Sequence, residues 1–83
     1  MHISIRYFAS IREAIGTGSE GWNTAATDLA GLRDELILRS AAHAQALARG
    51  RAVRIALNQV MCQESALLVD GAEVAFFPPV TGG

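Results

Sequence analysis

The sequence predicts an α+β fold, a mixed sheet of about five strands packed on one main helix, and three observations carry that prediction. Short segments in which apolar and polar residues alternate stand near both ends and past the middle of the 83 residues. Between them lies a leucine stripe at helical spacing. Glycine, Asp-Gly, Asn-Gln and Pro-Pro punctuation separates the segments. A leucine stripe needs an apolar partner, and strands with one apolar face supply it.

Ile3, Ile5 and Tyr7 alternate with His2, Ser4 and Arg6, which marks a first strand with one apolar face. Phe8 then falls on the polar side. Ala9 to Ile15 has the pattern of a short helix, with Ile11 and Ile15 four residues apart and glycines at 16 and 18 to end it. A second strand is expected around Ser19 to Asn23. Thr27 is a candidate cap for the main helix, Asp28 suits the positive end of its dipole, and Leu29, Leu32 and Leu36 share one face. Gly31 within that helix costs about 1 kcal/mol relative to alanine, which points to close backbone packing or to simple tolerance. The alanine-rich stretch from Ala41 to Arg49 either extends the helix or forms a second turn, with Gly50 as its stop. Val53, Ile55 and Leu57 alternate with Arg54, Ala56 and Asn58 in a third strand, and Asn58-Gln59 turns the chain into a short strand over Val60 to Cys62. Asp70-Gly71 is a turn, and Glu73 to Phe77 is the final strand.

This order is the layout of a ubiquitin-like β-grasp. With the first and last strands parallel at the centre, the chain end projects from the middle of the sheet. The expected organisation is one domain over residues 1–77 and an extended tail over residues 78–83.

Composition narrows the function. One small domain leaves no room for a catalytic cleft between two domains. A net charge of −1, with seven arginines scattered among eight acids and no lysine, provides no basic stripe for nucleic acid. No apolar run approaches the ~20 residues of a membrane span, and Met1-His2-Ile3-Ser4-Ile5-Arg6 lacks the layout of a signal peptide, so a cytoplasmic protein is expected. The single cysteine, Cys62, agrees with a reducing compartment and reads as a small core residue, with a persulfide relay as the alternative. His2 and His43 have no partner at ligand spacing, so no metal site is expected. No P-loop, GxGxxG or recognisable nucleophile arrangement is present.

The chain instead concentrates its signal in Phe76-Phe77-Pro78-Pro79-Val80-Thr81-Gly82-Gly83. Two prolines halt an apolar strand and stiffen the segment that leads away from it. A closing Gly-Gly has no side chain to obstruct its carboxylate, so the last atoms could thread a channel too narrow for other residues. Chance alone places two glycines there in about one chain in two hundred, so the dipeptide gains its weight from the strand and the prolines behind it.

The run from Val69-Asp70-Gly71-Ala72-Glu73 through Val74-Ala75-Phe76-Phe77 to Gly83 closely resembles the ubiquitin-like sulfur-carrier family, the small subunits of molybdopterin synthase. Tyr7-Phe8-Ala9 with Arg12-Glu13, and Ala56-Leu57-Asn58-Gln59, match the same family in order and spacing. Two departures are Leu57, where valine is common, and Ala72, where an acid commonly follows Asp-Gly, implying a weaker surface contact at that turn. The resemblance implies that a ubiquitin-activating-like enzyme uses ATP to adenylate Gly83, and that a persulfide donor converts it to a thiocarboxylate. This sulfur then passes to cyclic pyranopterin monophosphate, one per carrier, to build the molybdopterin dithiolene. It further implies that Pro78, Pro79, Val80, Thr81 and Gly82 insert into the large subunit, which holds the acid-base residues and lysines. It implies as well that no cofactor is bound permanently and that two small and two large subunits form a heterotetramer. Rival readings are a sulfur carrier for thiamine thiazole synthesis, a protein modifier joined through Gly83, and a plain interaction module.

Strand parity adds one further expectation. Phe8 lies opposite Ile3, Ile5 and Tyr7, and Phe77 lies opposite Val74 and Phe76. If Val74 and Phe76 face the helix, Phe8 and Phe77 form an exposed apolar patch at the base of the tail; if the strand faces the other way, Phe77 is core. Parity alone leaves both open. The resemblance implies the outward arrangement, with Phe8, Arg12, Met61 and Phe77 binding the large subunit.

Overall fold

His2–Tyr7 forms β1, in which Ile3, Ile5 and Tyr7 are buried while the residues between them are exposed. The computed structural model describes residues 1–79. After β1 come α1 (Ala9–Ile15), β2 (Ser19–Asn23), α2 (Leu29–Arg39), α3 (Ala41–Leu47), β3 (Arg54–Leu57), β4 (Val60–Cys62) and β5 (Glu73–Phe77). The strands form one sheet in the order β2-β1-β5-β3-β4, with β1 and β5 parallel and every other pair antiparallel. This is the expected β-grasp, and β5 is its central strand.

The leucine stripe lies on the sheet as its spacing predicts. Leu29, Leu32 and Leu36 are fully buried with Ile3, Ile5, Tyr7, Ile55, Val74 and Phe76. Val53 and Leu57 are half-buried at the edge of this core, and β3 begins at Arg54 rather than at Val53. The Asn58-Gln59 turn has both residues at positive φ, 49° and 70°, the conformation that suits a two-residue hairpin. Gly71, at φ 82°, closes the other predicted turn, where its N–H donates to the His2 carbonyl and Asp70 Oδ1 accepts from the His2 N–H.

Three expectations need correction, and the open alternative at residues 41–49 is decided. Asp28, not Thr27, caps α2: its Oδ1 accepts from the Gly31 N–H at 2.8 Å, while the Thr27 carbonyl is engaged by the Leu68 N–H. A Cβ on Gly31 would stand 3.1 Å from Ala26 Cβ and 3.2 Å from that same Oδ1, so the glycine serves a close approach. Ala41–Leu47 is a separate helix, because Ser40 is extended (φ −158°) and its Oγ accepts from the His43 N–H. Gly50 does not stop it. The helix ends at Leu47, where the buried Arg33 guanidinium donates to the carbonyls of Leu47 (2.8 Å), Ala48 (2.7 Å) and Arg51 (3.0 Å). Arginine thus does the work of a C-cap from a neighbouring helix. Finally, Ala72 is not at the surface of the turn but 2% exposed within the core.

Candidate functional site

One face of the sheet carries the three helices; among the described residues the other, here called the bare face, carries none. Because residues alternate across each strand, Arg6, Ala75, Phe77, Arg54, Ala56 and Met61 belong to the bare face. The chain reaches that face at one end through a tight reversal. Ala9 sits at φ 50°, a left-handed conformation costing an alanine about 1–2 kcal/mol, and it turns the chain from β1 directly into α1. Phe8 is held at the corner: its N–H donates to the Phe76 carbonyl at 3.1 Å, and its own carbonyl accepts from the Ile11 and Arg12 N–H groups.

Tyr7 is in register with Phe76, so the following residues, Phe8 and Phe77, meet outside the core. Their rings stack with centroids 4.6 Å apart and planes 10° from parallel. Phe8 is 36% exposed and Phe77 half-buried, whereas Phe76 is fully buried. The outward arrangement is therefore the one adopted. Met61, 52% exposed on β4, completes an apolar groove of about 440 Å³ with the two phenylalanines, Pro78 and Pro79. The groove abuts the start of the tail. Among the described residues its one charged wall residue is Arg54, which lies opposite Phe77 in the β3–β5 register.

Arg54 is a groove residue that parity could have flagged, since Ile55 and Leu57 face the helices and residue 54 must face away. The missing information was that β3 neighbours β5. Arg12 is placed elsewhere. Its guanidinium lies against Gly18, 3.1 Å from where a Cβ on that residue would be, and it does not line the groove with Phe8, Met61 and Phe77. Val80, Thr81, Gly82 and Gly83 lie outside the described residues.

Cys62 is half-buried on the helix side of β4, in register with Ile55, with its Sγ 3.9 Å from the Ile55 carbonyl oxygen. It faces away from the groove. His43 is buried in a structural cluster: its Nε2 stands 2.9 Å from Glu20 Oε2, which also accepts from the Tyr7 hydroxyl at 2.6 Å, and Ser40 Oγ is 2.7 Å from Nδ1. Burial pushes the Tyr7 phenol up to about 12, and burial together with the Arg39 charge holds His43 below its ordinary value. Glu35 accepts from Trp22 Nε1, Thr24 Oγ1 and the Ala25 N–H; burial raises its pKa, but these bonds prevail and the carboxyl sits below its usual value. Among the described residues no three His, Cys, Asp or Glu side chains group as metal ligands, and no helix is long and apolar enough to cross a membrane.

Comparison with known proteins agrees with this geometry. The ThiS family model matches residues 5–83. The chain is 38% identical over 81 residues to the molybdopterin synthase sulfur carrier subunit of Escherichia coli K12, covering 98% of this chain and 99% of that one. Among solved structures it resembles a chain in the complex of subunits 1 and 2 of molybdopterin-converting factor from Helicobacter pylori, with a TM-score of 0.68, 27% identity and full coverage of both chains. It also resembles small archaeal modifier protein 1 of Methanosarcina acetivorans, with a TM-score of 0.79 and 22% identity over 99% of this chain and 96% of that one. That last likeness is one of fold.

Proposed function

The chain belongs to the ThiS family, and from that premise we propose that it is the sulfur-carrying small subunit of a molybdopterin synthase, working with a separate large subunit. The observation that carries the proposal is the stacked Phe8–Phe77 pair beside Pro78 and Pro79. An apolar groove at the root of the tail lets one docking event both bind the domain and aim the terminus, so reaction at Gly83 becomes effectively unimolecular.

The terminus supplies the chemistry. A carboxylate is a poor electrophile, so the Gly83 carboxylate first attacks the α-phosphate of ATP on an adenylating enzyme, releasing pyrophosphate. A persulfide sulfur then displaces AMP from the acyl adenylate, and a second thiol resolves the acyl disulfide to leave a thiocarboxylate. Within the large subunit this soft sulfur attacks the pterin precursor, and two loaded carriers supply the two dithiolene sulfurs. Phe8, Met61 and Phe77 bind the large subunit, Pro78 to Gly82 form the inserted segment, and acid-base catalysis resides on the partner. This domain contributes position and a reactive end, and is not an enzyme alone. A lone half-buried thiol fits the reducing cytoplasm in which we place it.

Deleting Gly83, or adding one residue after it, displaces the reactive carbonyl by about 3.5 Å along an extended chain. The sheet ends at Phe77, so both variants should fold and bind the large subunit as the parent does. Neither should transfer sulfur to the pterin precursor in a purified system. Dithiolene formation by the extended variant, with its extra residue verified by intact mass, would overturn the thiocarboxylate mechanism and make Cys62 the candidate carrier. A conjugate through an isopeptide bond to Gly83 in cells would favour a protein modifier instead.

A further inference from the structure

We infer that Arg54 is the charge determinant of the groove, pairing with a carboxylate on the protein surface that docks over Phe8 and Phe77. This rests on the reading of the chain as a carrier whose tail enters a partner.

Arg54 is exposed at the start of β3, next to Phe77 and within the same groove as Met61. Four of the other six arginines have carboxylates to hand, whereas Arg12 and Arg51 form no ion pair among the described residues and lie outside the groove. Arg6 reaches Glu73 at 3.9 Å and also stands 5.8 Å from the Phe8 ring; Arg33 bonds Glu64, Arg39 bonds Glu20, and Arg49 bonds Asp34 and Glu64. Arg54 has no ion pair among the described residues. The other described residues of the groove wall have apolar side chains, so none of them offers a carboxylate to the Arg54 guanidinium.

A partner that covers Phe8, Phe77 and Met61 strips water from Arg54 at the same time. An uncompensated charge in such an interface is strongly unfavourable, and a carboxylate that takes the guanidinium fork in two parallel bonds removes the penalty. The complementary surface is therefore an apolar side chain to cover the aromatic pair, with an aspartate or glutamate about one strand spacing away. A partner with the apolar element and no acid would be rejected, because the free guanidinium acts against it.

The test titrates the chain into the purified large subunit from the same source by calorimetry, at about 50 and about 300 mM salt. Arg54 is exposed, so Arg54→Glu, Arg54→Met and Arg54→Lys should all melt as the parent does. Arg54→Glu should weaken binding at least about 100-fold; Arg54→Met should weaken it about tenfold and flatten the salt dependence; Arg54→Lys should fall between parent and Met. Changing one aspartate or glutamate of the large subunit to arginine should restore binding to Arg54→Glu. The inference is overturned if Arg54→Glu binds within threefold of the parent, if Arg54→Met keeps the parent's affinity and salt dependence, or if every such charge swap fails. Absence of binding by the parent itself would overturn the carrier reading and this inference with it.

Discussion

Phe77→Arg separates the two faces of the last strand, and the adjacent Phe76 provides the control. Phe77 is half-buried, and its principal aromatic contact is the Phe8 ring at 4.6 Å. Losing that stack forfeits about 0.5–1.5 kcal/mol, and a second guanidinium opposite Arg54 adds a few tenths more, so the domain should lose about 1–2 kcal/mol. For a domain of this size the melting temperature falls by about 4–8 °C per kcal/mol, and the transition should stay cooperative. Binding is hit harder. Truncating a central aromatic anchor costs at least about 2 kcal/mol, or about 30-fold, and a charge placed in the apolar groove raises the loss toward 100-fold or beyond. Phe76→Ala should do the reverse, removing about 3–5 kcal/mol of stability because the side chain is 0% exposed among the leucines of α2. The assay pairs calorimetric titration of the large subunit with a thermal melt of each variant. A Phe77→Arg protein that melts like Phe76→Ala would refute the assignment of faces, and one that binds within threefold of the parent would refute the docking role of the groove.

Two further predictions concern the scaffold that holds the groove. Arg33 is 3% exposed and donates to three backbone carbonyls and to Glu64, so Arg33→Met should cost about 3–5 kcal/mol in urea unfolding; a change below 1 kcal/mol would show that water satisfies those carbonyls equally well. The second concerns pH. His43 faces Glu20, Ser40 and the Tyr7 ring, with Arg39 nearby, and its folded pKa lies below its ordinary value, so the unfolded chain takes up the proton first as pH falls. Its contribution is thus fully present above about 6.5 and is lost below that, at up to about 1.4 kcal/mol per pH unit. Urea unfolding from pH 7 to 5 should show this slope in the parent and a flatter one in His43→Gln, and equal slopes would sink the assignment. The depressed Glu35 carboxyl acts in the same direction but only below about 4.5, outside that window.

Much of the fold is legible in the chain because alternation and the leucine stripe are local periodicities, each declaring a buried face without knowledge of its neighbour. Ile3, Ile5 and Tyr7, and then Leu29, Leu32 and Leu36, could be assigned to a core on that basis. So could the turns at Asn58-Gln59 and Asp70-Gly71. Other features depend on partners distant in sequence. Thr27 and Asp28 are both competent caps, and the choice follows from the Thr27 carbonyl pairing with Leu68. The end of α3 depends on Arg33, whose guanidinium looks solvated in sequence yet reaches carbonyls 14 to 18 residues away. Ala72 reads as a turn residue until the β1–β5 pairing carries it into the core.

The candidate site divides along the same line. By itself the sequence determined the order of the tail, Pro78-Pro79 directly behind the last strand and then Gly82-Gly83, because residue order needs no neighbours, and the expectation of a reactive Gly83 rests on that order. It also placed Phe8 and Phe77 on the faces opposite to their strands' core residues. Only the tertiary structure decided that those faces coincide, since that requires β1 beside β5 with Tyr7 opposite Phe76. The β5–β3–β4 order likewise brings Arg54 and Met61 into the groove, and the placement of Arg12 against Gly18 leaves it out. Periodicity encodes which side of an element a residue occupies, whereas adjacency of elements is a property of the whole packed chain.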